Sequence, residues 1–174
     1  MRIRELQREE IPGLFTIDRA ELVETVFVRK GNELVLKRER HELSGWPAGE
    51  VDGSRQMLLD CFDHGGAVQA AFESETLVGA SALDARFMGR DHAQLQLKFL
   101  HVSRGWRGRG VGAALFEAAA RRARELGARR LYVSATPSEN TIRFYLGRGC
   151  RVTEDVDAEQ LALEPEDIHL EYAL

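Results

Sequence analysis

The chain has 174 residues, 44% hydrophobic and 30% charged, so disordered and collagen-like classes are excluded. No run approaches the ~20 apolar residues of a membrane helix, and Cys61 and Cys150 are too few for a disulfide scaffold or a thiolate zinc site. The net charge of −4 is unevenly spread: residues 104–130 hold eight Arg and two Glu, while residues 154–171 hold eight acids and no Lys or Arg.

Along the chain, residues 2–6 read as an opening strand. Residues 9–22 read as a helix, with Ile11, Leu14, Phe15 and Leu22 on one stripe interrupted by Asp18. Val26–Val28 and Leu34–Leu36 flank Gly31-Asn32, which suggests a hairpin or an extended loop. Met57, Leu58, Cys61 and Phe62 share a face of a short helix over 54–63. Residues 67–73 and 77–84 are strands. Residues 94–103 alternate, with Leu95, Leu97 and Phe99 on one face and Gln94, Gln96 and Lys98 on the other.

A Gly/Arg loop over 106–112 opens a long helix to Leu126, closed by Gly127. Residues 130–135 form a strand. Thr136-Pro137-Ser138-Glu139 reads as a capping box with Thr136 as N-cap, starting a helix to Leu146 that Gly147 ends. Strands at 151–153 and 168–173 close the chain. The order implies an α/β fold, a mixed sheet with helices on both faces and one domain over residues 1–174.

The chemistry concentrates where a strand enters Leu100-His101-Val102-Ser103-Arg104-Gly105-Trp106-Arg107-Gly108-Arg109-Gly110-Val111-Gly112-Ala113. A Gly-rich turn opening a helix offers free N–H groups and partial positive charge, a cradle for phosphate. A Walker loop needs Lys-Ser/Thr after its last Gly, and Ala113-Ala114 stand there instead. Gly108-Arg109-Gly110-Val111-Gly112-Ala113 fits the loose dinucleotide pattern, but residues 130–136 lack its ribose-binding acid. Arg107, Gly110 and Gly112 meet the remaining pattern, Arg/Gln-x-x-Gly-x-Gly/Ala. The bland reading of the Arg run is a solvated face; a broad nucleic-acid surface is disfavoured by a pI of 5.8 and by only 7% aromatic residues.

Three stretches in order carry a resemblance: L-x-V-x-x-x-W-R-G-x-G-V-G at 100–112, A-R-E-L-G-A-R-R-L-Y-V at 123–133 and S-E-N-T-I-R-F-Y-L-G-R-G-C at 138–150. Over roughly residues 66–153 the chain resembles the GCN5-related N-acetyltransferases (GNAT). The resemblance implies a mixed, mostly antiparallel seven-stranded sheet, splayed at its centre between the fourth and fifth strands, with acyl-CoA in the split. The pyrophosphate is then expected at Arg107, Gly108, Arg109, Gly110, Val111, Gly112 and Ala113. The backbone of Leu100, His101 and Val102 is expected along the pantetheine arm, with Asn140 contacting that arm and Tyr145 protonating the departing thiolate. The structural alternatives are an early helix turn solvated by Asn140 and core packing of Tyr145 beside Phe144.

The resemblance implies acetyl-CoA as cosubstrate and the amine of a small molecule or peptide as acceptor; the alternative is a CoA-binding module without catalysis. An amine with pKa about 10 must lose a proton to react, yet residues 94–103 carry no acid on their polar face. Asp84, Glu73, Asp91, Glu21 and Glu24 remain as proton acceptors. Arg104 stands where the family often has Pro, and residues 25–49 exceed its minimal plan and are expected to roof the acceptor site. The acid-rich 154–167 loop either favours a cationic amine there or is solvated surface. Five His without His-x-x-x-His spacing argue against a metal. The expectation is a cytoplasmic protein with no nucleic-acid or membrane partner; homodimerisation is left open.

Overall fold

The computed structural model describes residues 1–31 and 33–174. The strands are β1 (Arg2–Glu5), β2 (Glu21–Lys30), β3 (Glu33–Leu43), β4 (Ala67–Glu73), β5 (Thr76–Leu83), β6 (Gln94–Val102), β7 (Arg130–Ala135), β8 (Arg151–Val152) and β9 (Ile168–Ala173). The helices are α1 (Glu50–Asp63), α2 (Val111–Glu125), α3 (Glu139–Gly147) and α4 (Ala158–Leu163), with 3-10 segments at Arg8–Thr16 and Arg104–Trp106.

Seven strands form one sheet in the order β1-β4-β5-β6-β7-β9-β8, and β2 and β3 form a separate hairpin. All sheet neighbours are antiparallel except β6 and β7. That parallel pairing covers only Gln94–Gln96 against Arg130–Tyr132. Beyond it β6 stays with β5 and β7 stays with β9, so the sheet splits between its fourth and fifth strands. The α1 helix and the first 3-10 segment bury Leu58, Cys61, Ile11 and Leu14 against one face, over Val68, Ala70, Ala80 and Ala82. The α2 helix covers the other with Val111 and Leu115 over Ala71 and Val78.

A bulge sets the shape of β6. Ala82 pairs with Phe99 and Leu83 with Leu97, which leaves Lys98 as an extra residue. Leu95 and Leu97 pack in the core with Phe116, whereas Phe99 joins Leu6, Leu58 and Ala82 on the opposite face. The single alternation expected over 94–103 therefore ends at Lys98. After it, Leu100 and Val102 turn toward α2.

Lys98 is held by a buried carboxylate. Its Nζ lies 2.8 Å from Asp84 Oδ2, which also takes Arg86 Nη2 at 2.6 Å. Asp84 is 2% exposed. Burial alone would raise its pKa, but hydrogen bonds from Arg86 and Lys98 outweigh that and hold it at about 2. Asp84→Asn strands Lys98 and should cost about 2–3 kcal/mol, below the ~3–5 of a fully dry pair because Arg86 keeps water. A depressed carboxylate stabilises fully above its unfolded pKa of about 4 and loses that contribution as pH falls through about 2. Wild type should therefore outlast the variant in urea at neutral pH and converge with it in acid; equal stability at neutral pH would contradict the clamp.

Further sequence expectations are corrected. The helix expected over 9–22 is a 3-10 segment that ends at Thr16, because Pro12 supplies no N–H to continue an α ladder. Ile11 and Leu14, three apart, eclipse on one side of that tighter helix. Leu22 lies in β2 and is 44% exposed. The N-cap of α3 is Ser138, whose Oγ accepts from the Thr141 N–H, and not Thr136. Residues 136–138 are instead drawn alongside β2, where the Phe27 N–H donates to the Pro137 carbonyl. The Glu139 carboxylate goes to the Thr25 hydroxyl and to Arg143. Helix α3 includes Gly147, and Gly149, at φ +93°, makes the left-handed turn after it. The acid-rich segment 154–167 contains α4, capped by the Asp157 carboxylate on the Glu159 and Gln160 N–H groups. The hairpin is far longer than its apolar runs suggest; the turn expected at 31–32 lies partly outside the described residues.

Candidate active site

The split opens into a cleft of about 660 Å³ between β6, the start of α2 and α3. Its floor is the end of β6. The Ser103 N–H donates to the Val78 carbonyl, and Val102 is paired with Gly79 in register. The alternation of an antiparallel ladder then turns the His101 backbone toward β5 and the N–H and C=O groups of Leu100 and Val102 into the split. His101, expected to serve the arm through its backbone, lines the cleft but has those groups committed to β5. Its ring stacks edge-on to Phe99 at 4.5 Å and Trp46 at 5.8 Å. Burial, with Arg19 and Arg107 nearby, drives its pKa down to about 3, so the imidazole is neutral.

The start of α2 forms one wall. Gly110 is its N-cap at φ +84°, and Gly108 precedes it at φ +73°, backbone that residues with a side chain rarely adopt. The first helical N–H groups have no partner in the helix and meet the positive end of its dipole. A side chain at Gly112 would stand 3.3 Å from the Phe144 ring, so this glycine lets α3 close on α2. Gly108, Gly110, Gly112 and Ala113 all line the cleft, whereas the Arg109 and Val111 side chains do not. The Arg109 guanidinium lies 5.1 Å over Trp106, and Val111 is buried in the core. Arg107 lines the cleft yet also acts as a strut: it donates to the Val102 carbonyl at 3.0 Å and the Ala20 carbonyl at 3.1 Å.

Helix α3 forms the opposite wall. Asn140 and Tyr145 both line the cleft although five residues separate them. Asn140 Nδ2 donates to Glu21 Oε1 at 3.2 Å. The Tyr145 ring packs 6.1 Å from Phe116 and 5.1 Å from Phe144, is 6% exposed, and its phenol is pushed up by burial, with Cys150 and Asp167 adding to it. Sequence reasoning missed Thr141, Arg143, Phe144 and Arg148 as lining residues. The spacing of 140, 144 and 148 is one helical stripe and could have shown Phe144 and Arg148.

The expected proton acceptors are mostly committed. Asp84 is paired as above, Asp91 lies 3.0 Å from Arg129 and 2.7 Å from Arg130, and Glu73 holds the N-terminal amine. Glu21 alone of the five lines this cleft, 3.6 Å from Arg107. Among the described residues no three His, Cys, Asp or Glu gather to hold a metal, and no helix is long and apolar enough to cross a membrane.

A sequence model of the acetyltransferase (GNAT) family matches residues 33–149. The chain belongs to the GNAT acetyltransferase family. No curated protein matches it in sequence. Among solved structures, nourseothricin acetyltransferase is similar in fold at 20% identity and TM-score 0.69, covering 99% of this chain and 97% of that one. A Bacillus anthracis protein described as a streptothricin acetyltransferase, in complex with acetyl coenzyme A, is similar at 16% identity and TM-score 0.70, covering 99% and 98%. PaiA N-acetyltransferase from Thermoplasma acidophilum, in complex with coenzyme A, is similar at 16% identity and TM-score 0.65, covering 99% and 98%. This GNAT enzyme thus has the mixed seven-stranded sheet that its motifs imply, with the 123–133 and 138–150 stretches on α2–β7 and α3.

Proposed function

We propose that the chain transfers the acetyl group of acetyl-CoA directly to a primary amine of a small molecule or peptide, all 174 residues acting as one acyltransferase unit. The observation that carries this reading is the cleft itself: a helix N-terminus with two left-handed glycines at one wall and a buried tyrosine at the other, bridged by a free strand edge. The pyrophosphate lies on the amides from Gly108 to Ala113, with Arg143 and Arg148 adding positive charge. The pantetheine arm follows Leu100 and Val102 as an added strand. Because the Val102 carbonyl already accepts from Arg107, the arm takes its bonds from the Leu100 carbonyl and the Val102 N–H. Asn140 leaves Glu21 to meet the arm.

An N–H of the Leu100–Val102 edge polarises the thioester oxygen as the tetrahedral intermediate forms. Tyr145 meets the sulfur as it leaves. The β2–β3 hairpin walls the acceptor side, and the acids of 154–167 favour a cationic amine. Thiol release from acetyl-CoA across a panel of small amines and peptides tests the reading. NAD(P) and ATP should show no specific binding by calorimetry, since the ribose-binding acid and the Walker Lys are missing. Micromolar NAD affinity that coenzyme A does not displace would contradict the assignment.

A further inference from the structure

On β7 and β9 the residues facing α2 are apolar: Leu131, Val133, Ala135, Ile168 and Leu170 all join the core around Phe116. The alternate positions, Tyr132, Ser134 and His169, therefore face the other side of the sheet. Ser134 and His169 are paired in register. Ser134 Oγ donates to Asp167 Oδ2 at 2.9 Å. This places the carboxylate at the end of β7 where it has parted from β6, on the side of the split opposite Tyr145. The two are still close enough for the Asp167 charge to bear on the Tyr145 phenol.

The neighbours of Asp167 are tuned around it. The Asp157 N–H donates to the Tyr132 oxygen at 3.3 Å, and Tyr132 lies 2.7 Å from His169 Nδ1. With its oxygen so engaged, the phenol donates to Nδ1, which leaves the proton of the neutral imidazole on Nε2. That Nε2 is buried and has no hydrogen-bond partner among the described residues; His169 is 5% exposed. A buried donor without an acceptor, one register pair from a carboxylate that only a hydroxyl engages, is a seat awaiting a polar ligand.

We propose that Asp167 takes the proton of the acceptor amine, and that Ser134, Asp167 and His169 line the seat of that amine. The inference rests on the acetyl-transfer reading and deepens it. The ammonium gives one proton to the Asp167 carboxylate, which passes it to solvent. The free nitrogen attacks the thioester carbon, and the C–N bond forms. As the C–S bond breaks, the sulfur takes a proton from Tyr145, and the second amine proton replaces it there.

Burial raises the Asp167 pKa to about 6, with Glu164 adding to it and the Ser134 hydrogen bond opposing it. A base poised there works near neutral pH. The other charged or titratable groups around it are Tyr132 and His169 on the adjoining strands and Tyr145 on α3, with Asp155 acting through Tyr132, Asp157 through both Tyr132 and His169, and Arg29 of β2 through His169. Both tyrosines are raised and His169 is lowered, so Asp167 is the group that changes charge near pH 6.

The test compares wild type, Asp167→Asn and Ser134→Ala in amine-dependent thiol release between about pH 5 and 9, with acetyl-CoA affinity measured by calorimetry. Asn keeps the shape and still accepts from Ser134. Asp167→Asn should lower kcat roughly 100-fold or more, leave acetyl-CoA affinity unchanged and abolish the acidic limb near pH 6. Ser134→Ala removes the bond that lowers the Asp167 pKa, so its acidic limb should move to higher pH. Should the Asn variant not fold, that shift carries the test. Asp167→Asn turning over within about threefold of active wild type, or a Ser134→Ala limb that stays in place, overturns the assignment of Asp167 alone. Wild type inactive toward every amine overturns the acetyl-transfer reading and this role with it.

Discussion

Gly110→Asp should abolish acetyl-CoA binding and leave the fold standing. Gly110 is the N-cap of α2 at φ +84° and lines the cleft, and a side chain there meets no atom within 4 Å. The left-handed backbone costs an Asp about 1–2 kcal/mol, while Asp is otherwise among the better N-cap residues. The change in stability is therefore small. The change in binding is not. A carboxylate about 5 Å from one phosphate charge repels it by roughly 3 kcal/mol at an effective dielectric near 20, and a pyrophosphate presents more than one charge. Calorimetry should show affinity falling by at least about 100-fold, with the unfolding transition within about 2 kcal/mol of wild type. Affinity within about threefold of wild type would remove the pyrophosphate from this loop.

Tyr145→Phe should lower kcat by roughly 100-fold with acetyl-CoA affinity little changed. The ring stays packed on Phe116 and Phe144, so the variant loses a hydroxyl and almost no volume. Burial makes the phenolate costly, so Tyr145 cannot hold a negative charge between steps. In the proposed role, a proton given to sulfur is replaced as it leaves, from the attacking amine nitrogen. A Tyr145 that only packs predicts normal turnover in the Phe variant. Turnover within about threefold of wild type, with chemistry shown to be rate-limiting, would mean the thiolate leaves through water.

Much of the fold was legible where local chemistry and tertiary structure agree. The strands at 67–73, 130–135 and 168–173 have the predicted bounds, and Gly127 ends α2 as its position implied. The glycine-rich turn that opens α2 was legible as well, and Gly108 and Gly110 take positive φ there. The losses have physical causes. Leu22 sits at helical spacing from Ile11 but belongs to a strand, since an apolar period does not reveal that Pro12 has already broken the ladder. The Lys98 bulge cannot be read from alternation, because Leu-Lys-Phe is equally regular with or without an extra residue; only the buried Asp84 that meets Lys98 marks it. Ser138 caps α3 in place of Thr136 because β2, more than 100 residues earlier in sequence, pulls Pro137 into extended pairing.

The site divides the same way. Backbone-defined parts, the glycines and the β6 edge, follow from motif and register. Side chains supplied by distant elements do not: Glu21 from β2 reaches Asn140 from 119 residues earlier in sequence. Arg109, which the motif included, spends its side chain on Trp106.

We propose that the split binds acetyl-CoA and passes its acetyl group to an amine. The most direct measurement is thiol release from acetyl-CoA by the wild-type chain against a panel of polyamines, amino acids and short peptides, with the amine product weighed by mass spectrometry. Amine-dependent thiol release is expected, matched mole for mole by acetylated amine and abolished in Gly110→Asp. Tight acetyl-CoA binding with no thiol release above buffer hydrolysis for any amine would contradict it.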